Sequence, residues 1–117
     1  MNLPLTIQFI GLSPSREVEA AIQGCVADVN RDCPDVAAWR VTVVQEGFQH
    51  LQERPYSVLV AASVAEQDLS VVQVHDDDVR IAVREAFDDI KRELKDAARL
   101  RRHHVKQHEA MSLGHAG

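Results

Sequence analysis

One stretch of this chain, residues 76–102, constrains the fold more than any other. Apolar side chains recur there in steps of three and four residues, which is the period of one helix face. These positions are Val79, Val83, Ala86, Phe87, Ile90, Leu94 and Ala97. After Ala98 the next positions on that side are Arg101 and Arg102, so the stripe ends before the helical composition does. The sequence predicts a long helix from residue 77 to about residue 104 whose last turns extend beyond the core.

Three consecutive acids, Asp76, Asp77 and Asp78, precede this helix. Their side chains can accept hydrogen bonds from the unpaired N–H groups of the first turn, and their charge suits the positive end of the helix dipole. Consecutive residues point in different directions, and neither a glycine-spaced loop nor a partner histidine accompanies them. We therefore predict capping rather than a cation site or a pair of catalytic carboxylates.

Upstream of the long helix, the periodicity of apolar residues predicts one further helix and four strands. The helix begins with Ser13 as N-cap and Pro14 at its first position, and it ends before Pro34. The predicted strands are residues 3–10, 38–45, 56–63 and 69–74. The predicted order is therefore β-α-β-β-β-α.

The predicted fold class is α+β, a four-stranded mixed sheet with two helices on one face. Each helix has a single apolar stripe, so placing both on one face buries both stripes. A crossover through the first helix makes the first two strands parallel, and an antiparallel meander follows. On the open face we place Val44, Leu59, Ala61 and Val72, which are candidate contacts for a second copy or another protein. The alternative is a small sheet whose open face is mixed in composition and has no partner.

The length of 117 residues and a hydrophobic content of 45% fit one small core. We predict a single domain over residues 1–104 and a polar, disordered tail over residues 105–117. No apolar run reaches the ~18 residues of a membrane span, and the first residues lack a signal-peptide pattern. We expect a cytoplasmic protein, with Cys25 and Cys33 as reduced thiols because their spacing matches neither a redox motif nor a zinc site.

Charge is distributed unevenly along the chain. Residues 1–90 contain six Lys or Arg and fifteen Asp or Glu, a net −9, whereas residues 91–117 contain seven and three, a net +4. Together these give the formal net charge of −5. Affinity for a polyanion is therefore expected only from the last quarter of the chain.

Segment 78–94 reads DVRIAVREAFDDIKREL. It resembles a segment, D-x-Y-x-A-I-D-x-L-x-x-K-L-E-R-Q-L, of the hibernation-promoting factor and ribosome-associated inhibitor family. Members of this family are also called sigma factor modulation proteins. The β-α-β-β-β-α order also matches that family, and the resemblance spans about residues 3–102. The matching positions are Asp78, Ala82, Val83, Ile90, Arg92 and Leu94. Most of these are helix-packing positions.

The resemblance implies a small non-enzymatic protein of the short form of this family. Such a protein binds ribosomal RNA of the small ribosomal subunit near the decoding centre and inhibits translation under stress or in stationary phase. This chain departs from the family pattern in charge. Family members carry lysines on the first helix, whereas here two arginines stand among three acids, and Asp89 occupies a position where the family has lysine.

Six cations of the long helix are candidate RNA contacts: Lys91, Arg92, Lys95, Arg99, Arg101 and Arg102. Such side chains bind phosphate oxygens, and each contact releases counterions from the nucleic acid. Their spacing spreads them over more than one side of the helix, and surface ion pairs such as Asp88 with Arg92 and Asp96 with Arg99 are an equally good interpretation. No aromatic residue lies within residues 91–102, so we expect binding to RNA backbone and shape rather than base stacking.

We predict no enzymatic activity, no cofactor and no metal site. The serines lack a nucleophile-elbow motif, and the chain has no glycine-rich phosphate loop. His104 and His108 are one helical turn apart and His103 is adjacent, but Glu109 is the only acidic or thiol ligand near them.

Two hypotheses of function follow. The first is a ribosome-associated stress and stationary-phase translation inhibitor that binds the small subunit. The alternative is an acidic paralogue that keeps the fold but acts as a protein-interaction module, or self-associates as a homodimer, through the open sheet face.

Overall fold

The computed structural model describes residues 4–45, 56–64 and 68–116, with side chains described as far as Leu100 except that of Asp68. The elements are β1 (Leu5–Ile10), α1 (Arg16–Asp32), β2 (Val36–Gln45), β3 (Tyr56–Val64), β4 (Asp68–Asp76) and α2 (Val79–Ala116). The predicted α+β class and the order β-α-β-β-β-α are confirmed. Within the described residues, neither helix is long and apolar enough to cross a membrane.

The four strands form one sheet in the order β1-β2-β3-β4. β1 pairs with β2 in parallel, and the two remaining pairs are antiparallel, as predicted. Residues opposite each other share a face of the sheet, because side chains alternate along each strand. One row therefore crosses all four strands through Ile7, Val41, Val60 and Val72. This row faces the helices, since Val41 and Val60 are fully buried in the core.

Helix α1 begins two residues later than predicted. The hydroxyl of Ser15, not that of Ser13, caps it by accepting a hydrogen bond from the N–H of Val18 at 3.2 Å. The predicted N-cap at Ser13 is therefore wrong. A serine stands on each side of Pro14, and only Ser15 lies three residues before Val18, the first residue of α1 to be buried.

Asp76 and Asp78 act as caps before α2, which confirms the prediction for these two acids. A carboxylate oxygen of Asp78 accepts a hydrogen bond from the N–H of Arg80 at 2.9 Å. Asp76 similarly accepts from the N–H of Asp78 at 3.0 Å, which orders the turn between β4 and α2. The acids therefore satisfy backbone N–H groups that the first turn leaves without helical partners.

The core lies between the sheet and one stripe of each helix. Its α2 members are Ala82 and five of the seven predicted stripe positions: Val83, Ala86, Phe87, Ile90 and Leu94. Of the other two stripe positions, Val79 is partly buried against the core and Ala97 is half-buried. Leu94 is the last of them, and Leu100 is already 66% exposed. α2 extends to Ala116, beyond the predicted end near residue 104. The division into a domain over residues 1–104 and a disordered tail over residues 105–117 stays a prediction.

Candidate nucleic-acid interface

The exposed sides of α1 and α2 meet along a line that we call the helix seam, bounded by two ion pairs between the helices. At one end Arg80 lies 2.9 Å from a carboxylate oxygen of Glu17, and at the other Lys91 lies 2.8 Å from Asp32. Glu17 is in the first turn of α1 and Asp32 is its last residue, so the two helices run in the same direction. The seam therefore places cations of α2 beside acids of α1.

Lys91 is the predicted RNA contact that pairs with an acid of the other helix. Its ammonium group donates a hydrogen bond to Asp32, which raises the pKa of Lys91 and lowers the pKa of Asp32. Both groups are therefore charged throughout the neutral range. A phosphate that binds Lys91 has to share it with, or take it from, this carboxylate.

Arg92 and Arg99 are each paired with an acid three residues earlier on α2. Arg92 lies 3.5 Å from Asp89, rather than pairing with Asp88, and Arg99 donates a hydrogen bond to Asp96. The predicted Asp96–Arg99 pair is thus confirmed, and the predicted Asp88–Arg92 pair is wrong. Exposed pairs of this kind contribute little to stability, about 0–1 kcal/mol. The guanidinium groups of Arg92 and Arg99 can therefore leave their carboxylate partners and bind another anion.

Lys95 differs from the other predicted contacts. It is exposed, and within the described residues it makes no ion pair or hydrogen bond. Its positive charge lowers the pKa of the nearby Asp32 carboxyl, though less than Lys91 does. Among the predicted contacts whose side chains are described, Lys95 is therefore the one most directly available to an external phosphate.

Arg84 belongs to the same row and was missed by the sequence analysis. Arg84, Lys91 and Lys95 are seven and four residues apart, which puts them on one side of α2, toward the seam. Arg84 is exposed and, like Lys95, makes no ion pair among the described residues. The spacing of seven and four residues is the signal that identifies Arg84. Arg84 was overlooked because it belongs to residues 1–90, which carry a net negative charge. The remaining predicted contacts, Arg101 and Arg102, have side chains outside the described residues.

Acids and a thiol occupy the middle of the seam. Cys25 of α1 is half-buried, and this burial raises the pKa of its thiol. The charges of Asp28 and Asp88 raise it further, whereas Arg84 lowers it. Burial also raises the pKa of the Cys33 thiol. Both cysteines are free thiols that stay protonated at neutral pH, which is consistent with packing rather than nucleophilic roles.

A cleft of about 580 Å³ opens at the end of the seam where α1 turns into β2. α2 contributes Lys95 and Arg99 to its lining, and the turn contributes Asp32 and Asp35. Apolar side chains including Val64 line the rest. Because its acids and bases balance, the cleft alone does not define an anion site.

Among the described residues no group of three or more His, Cys, Asp or Glu could hold a metal ion. The side chains of His104 and His108 lie outside the described residues.

The opposite face of the sheet carries three of the four predicted protein contacts. Val44 lies opposite Ser57, Leu59 opposite Gln73 and Ala61 opposite Val71, all on the face away from the helices. The placement of Val72 on that face is wrong. Val72 lies opposite the buried Val60 and packs against the core.

Three exposed apolar residues that the sequence analysis did not select extend this open face. Val71 takes the position expected for Val72 and is 45% exposed. Leu69, on the same face of β4, is 62% exposed, and Ile10 of β1 is 49% exposed. The open face therefore has an apolar character on both edges of the sheet.

Comparison with known proteins supports the fold. No protein family matches the sequence, and no curated protein matches it. Among solved structures, the chain is similar to the N-terminal domain of Protein Y from Thermus thermophilus, with a TM-score of 0.65 and 16% identity, covering 82% of this chain and 98% of that one. It is also similar to a ribosomal subunit interface protein from Coxiella burnetii, with a TM-score of 0.69 and 9% identity over the same shares of the two chains. At these identities the likeness establishes a shared fold, the one that the sequence resemblance implied.

Proposed function

We propose that this chain is a ribosome-associated translation inhibitor that binds the small subunit near the decoding centre and acts in stress or stationary phase. The observation that carries the proposal is the extent of the fold likeness. It spans 98% of the Protein Y domain and 98% of the ribosomal subunit interface protein, so the whole of each fold is present here rather than a shared fragment. On this proposal the protein acts in the cytoplasm and inhibits translation by binding rather than by catalysis.

The helix seam is the surface we assign to ribosomal RNA. Its row of Arg84, Lys91 and Lys95 places three cations along one side of α2, where they can meet phosphates of the RNA backbone. Arg92 and Arg99 lie on the same helix. They can also bind phosphate if each gives up its ion pair with the neighbouring Asp89 or Asp96. Arg101 and Arg102 continue the sequence pattern and remain predicted contacts. Binding through these groups is directed at RNA backbone and shape, because no aromatic ring accompanies them.

Sedimentation with purified small subunits tests the proposal. At ~50 mM salt, where phosphate contacts are strongest, the protein should migrate with the subunits, and the bound fraction should fall as salt rises. Absence of co-migration at that salt concentration would refute the proposal.

A matched pair of charge reversals tests the assigned surface. Lys95→Glu alters the seam, and Arg40→Glu makes the same change of net charge on the open face of the sheet. Lys95→Glu should weaken binding at least several-fold more than Arg40→Glu, because only Lys95 would lie next to phosphate. Equal losses would show that overall charge, and not the seam, controls binding.

A second candidate function is self-association through the open sheet face, favoured by the exposed Leu69 and Val71, the latter opposite Ala61 on the same face. Exposed apolar patches of this kind are typical of association surfaces, and burying one against a second copy would remove it from water. The expected product is a homodimer whose mass, measured by light scattering at high concentration, falls to that of a monomer in Leu59→Glu and Val71→Glu. Ile81→Glu is the control, because Ile81 is similarly exposed but lies on α2. A strictly monomeric wild type would exclude this function.

A further inference from the structure

The cations at the ends of the helix seam are held by acids from a different element. Arg80 and Lys91 belong to α2, while Glu17 and Asp32 belong to α1 and are 63 and 59 positions away in the sequence. Pairs within one helix, such as Arg92 with Asp89, follow from local spacing. The two pairs between helices instead require the packing of α1 against α2, and they involve side chains of the surface assigned to RNA.

A carboxylate and a phosphate compete for the same donors. Both present oxygens to the ammonium group of a lysine or to the fork of a guanidinium group, with similar distances and charge assistance. At Lys91 the carboxylate of Asp32 already occupies a donor at 2.8 Å. One turn further along α2, Lys95 has no such partner among the described residues.

We propose that Asp32 and Glu17 are specificity-determining residues that compete internally with RNA phosphates for Lys91 and Arg80. This inference rests on the proposed function and refines it. Lys95 and Arg84 make the first phosphate contacts, and Lys91 contributes only where the RNA holds a phosphate close enough to displace Asp32. The acids of α1 therefore restrict the seam to RNA surfaces with several phosphates in fixed positions and suppress binding to flexible RNA.

Neutralising Asp32 is the decisive change. Asp32→Asn should strengthen binding to small subunits by roughly 2–5-fold beyond any general charge effect, the range expected for releasing an exposed ion pair. Asp35→Asn is the matched control, because it makes the same change in net charge three residues away and no ion pair with α2 involves Asp35 among the described residues. Glu17→Gln should give a comparable gain at the other end of the seam.

The coupling between Asp32 and Lys91 separates local competition from overall charge. In a Lys91→Ala background, Asp32→Asn should strengthen binding no more than Asp35→Asn does, because the released cation is no longer present. Each variant is measured against small subunits and against a flexible 20-nucleotide homopolymer RNA, on which Asp32→Asn should give at least as large a gain. Urea unfolding of each variant checks that it remains folded.

The outcomes distinguish this inference from the proposed function. If wild type binds small subunits and Asp32→Asn gains no more than Asp35→Asn, the internal competition is refuted while the ribosomal role stands. If wild type binds neither subunits nor RNA but Asp32→Asn and Glu17→Gln bind the homopolymer, the competition is supported and the ribosomal role falls. If no variant binds either RNA, both proposals are wrong.

Discussion

The indole N–H of Trp39 donates a hydrogen bond to the side-chain oxygen of Asn30 at 3.1 Å and thereby joins β2 to α1. The same indole lies against Phe87 of α2, with ring centroids 5.6 Å apart at an angle of 39°. Trp39 is 2% exposed, so one side chain connects the sheet to both helices from within the core. The seam described above depends on this packing, because it fixes how the two helices lie beside each other.

Replacing Asn30 with alanine should lower the free energy of unfolding by roughly 1–2 kcal/mol, because the buried indole N–H loses its acceptor. Urea denaturation followed by the fluorescence of the single tryptophan measures this change. Gln23→Ala, at an exposed position of α1, serves as the control and should stay within about 0.5 kcal/mol of wild type. Equal stabilities for the two variants would mean that the Asn30 bond contributes nothing in solution.

Two glycines should respond to alanine in opposite directions. Gly11 has φ +83°, and a Cβ there would lie 2.5 Å from the carbonyl oxygen of Gln45, so Gly11→Ala should destabilise the protein by roughly 1–3 kcal/mol. Gly24 is within α1 with no atom in the way, so Gly24→Ala should stabilise it by about 0.5–1 kcal/mol. Thermal unfolding of both variants checks the pair, and a rise in melting temperature for Gly11→Ala would contradict the described turn.

The Asp32–Lys91 pair should stabilise the protein over a wide pH range. The pKa of Asp32 is lowered by its hydrogen bond with Lys91, so its contribution is present above the unfolded pKa of about 3.9 and is lost as pH falls through the folded value. The pKa of Lys91 is raised by the same bond, so its contribution is complete below about 10.4 and is lost as pH rises through the folded value.

Comparing wild type with Lys91→Met tests this assignment. The carboxyl pKa of Asp32, followed by NMR titration, should be higher in Lys91→Met than in wild type, because the hydrogen bond and the positive charge are both removed. The difference in stability between the two proteins should be constant from about pH 5 to 9 and shrink below pH 4. An unchanged Asp32 pKa would show that the pair is not formed in solution.

Removing residues 105–117 should leave the free energy of unfolding within about 1 kcal/mol of that of the full chain. Among the described side chains of α2, the last core residue is Leu94, ten residues before the proposed boundary at residue 104, and Leu100 is already exposed. Urea unfolding of the shortened chain measures the effect. A loss of several kcal/mol would place part of this segment within the folded domain and overturn the predicted boundary.

Local periodicity was sufficient to predict the elements and their order. The stripe from Val79 to Leu94 repeats every three or four residues, and that spacing has only one good solution in secondary structure. Two apolar stripes on two helices also led directly to the one-sided arrangement on the sheet. The first residue of α1 was harder to predict, because Ser13 and Ser15 are both good N-caps. The burial of Val18, three residues after Ser15, decides between them, and this burial is a property of the tertiary structure.

The faces of β4 could not be predicted in the same way. Val71 and Val72 are adjacent and therefore point to opposite faces of the sheet. Whichever of the two faces the core, the core receives an apolar residue. Pairing of Val60 with Val72 decides between them, and this register involves a neighbouring strand rather than the β4 sequence itself. A shift by one residue moves every side chain to the other face, which is why the prediction for Val72 was wrong.

By itself, the sequence determined which segments become helices and strands, and it located most of the cations on α2, because those properties depend on neighbours a few residues apart. Only the tertiary structure decided which cations are engaged by acids of the other helix. Lys91 is bound by Asp32 across 59 residues of chain, while Lys95, one turn away, is not. No local spacing encodes that difference, since it arises from the packing of one helix against another.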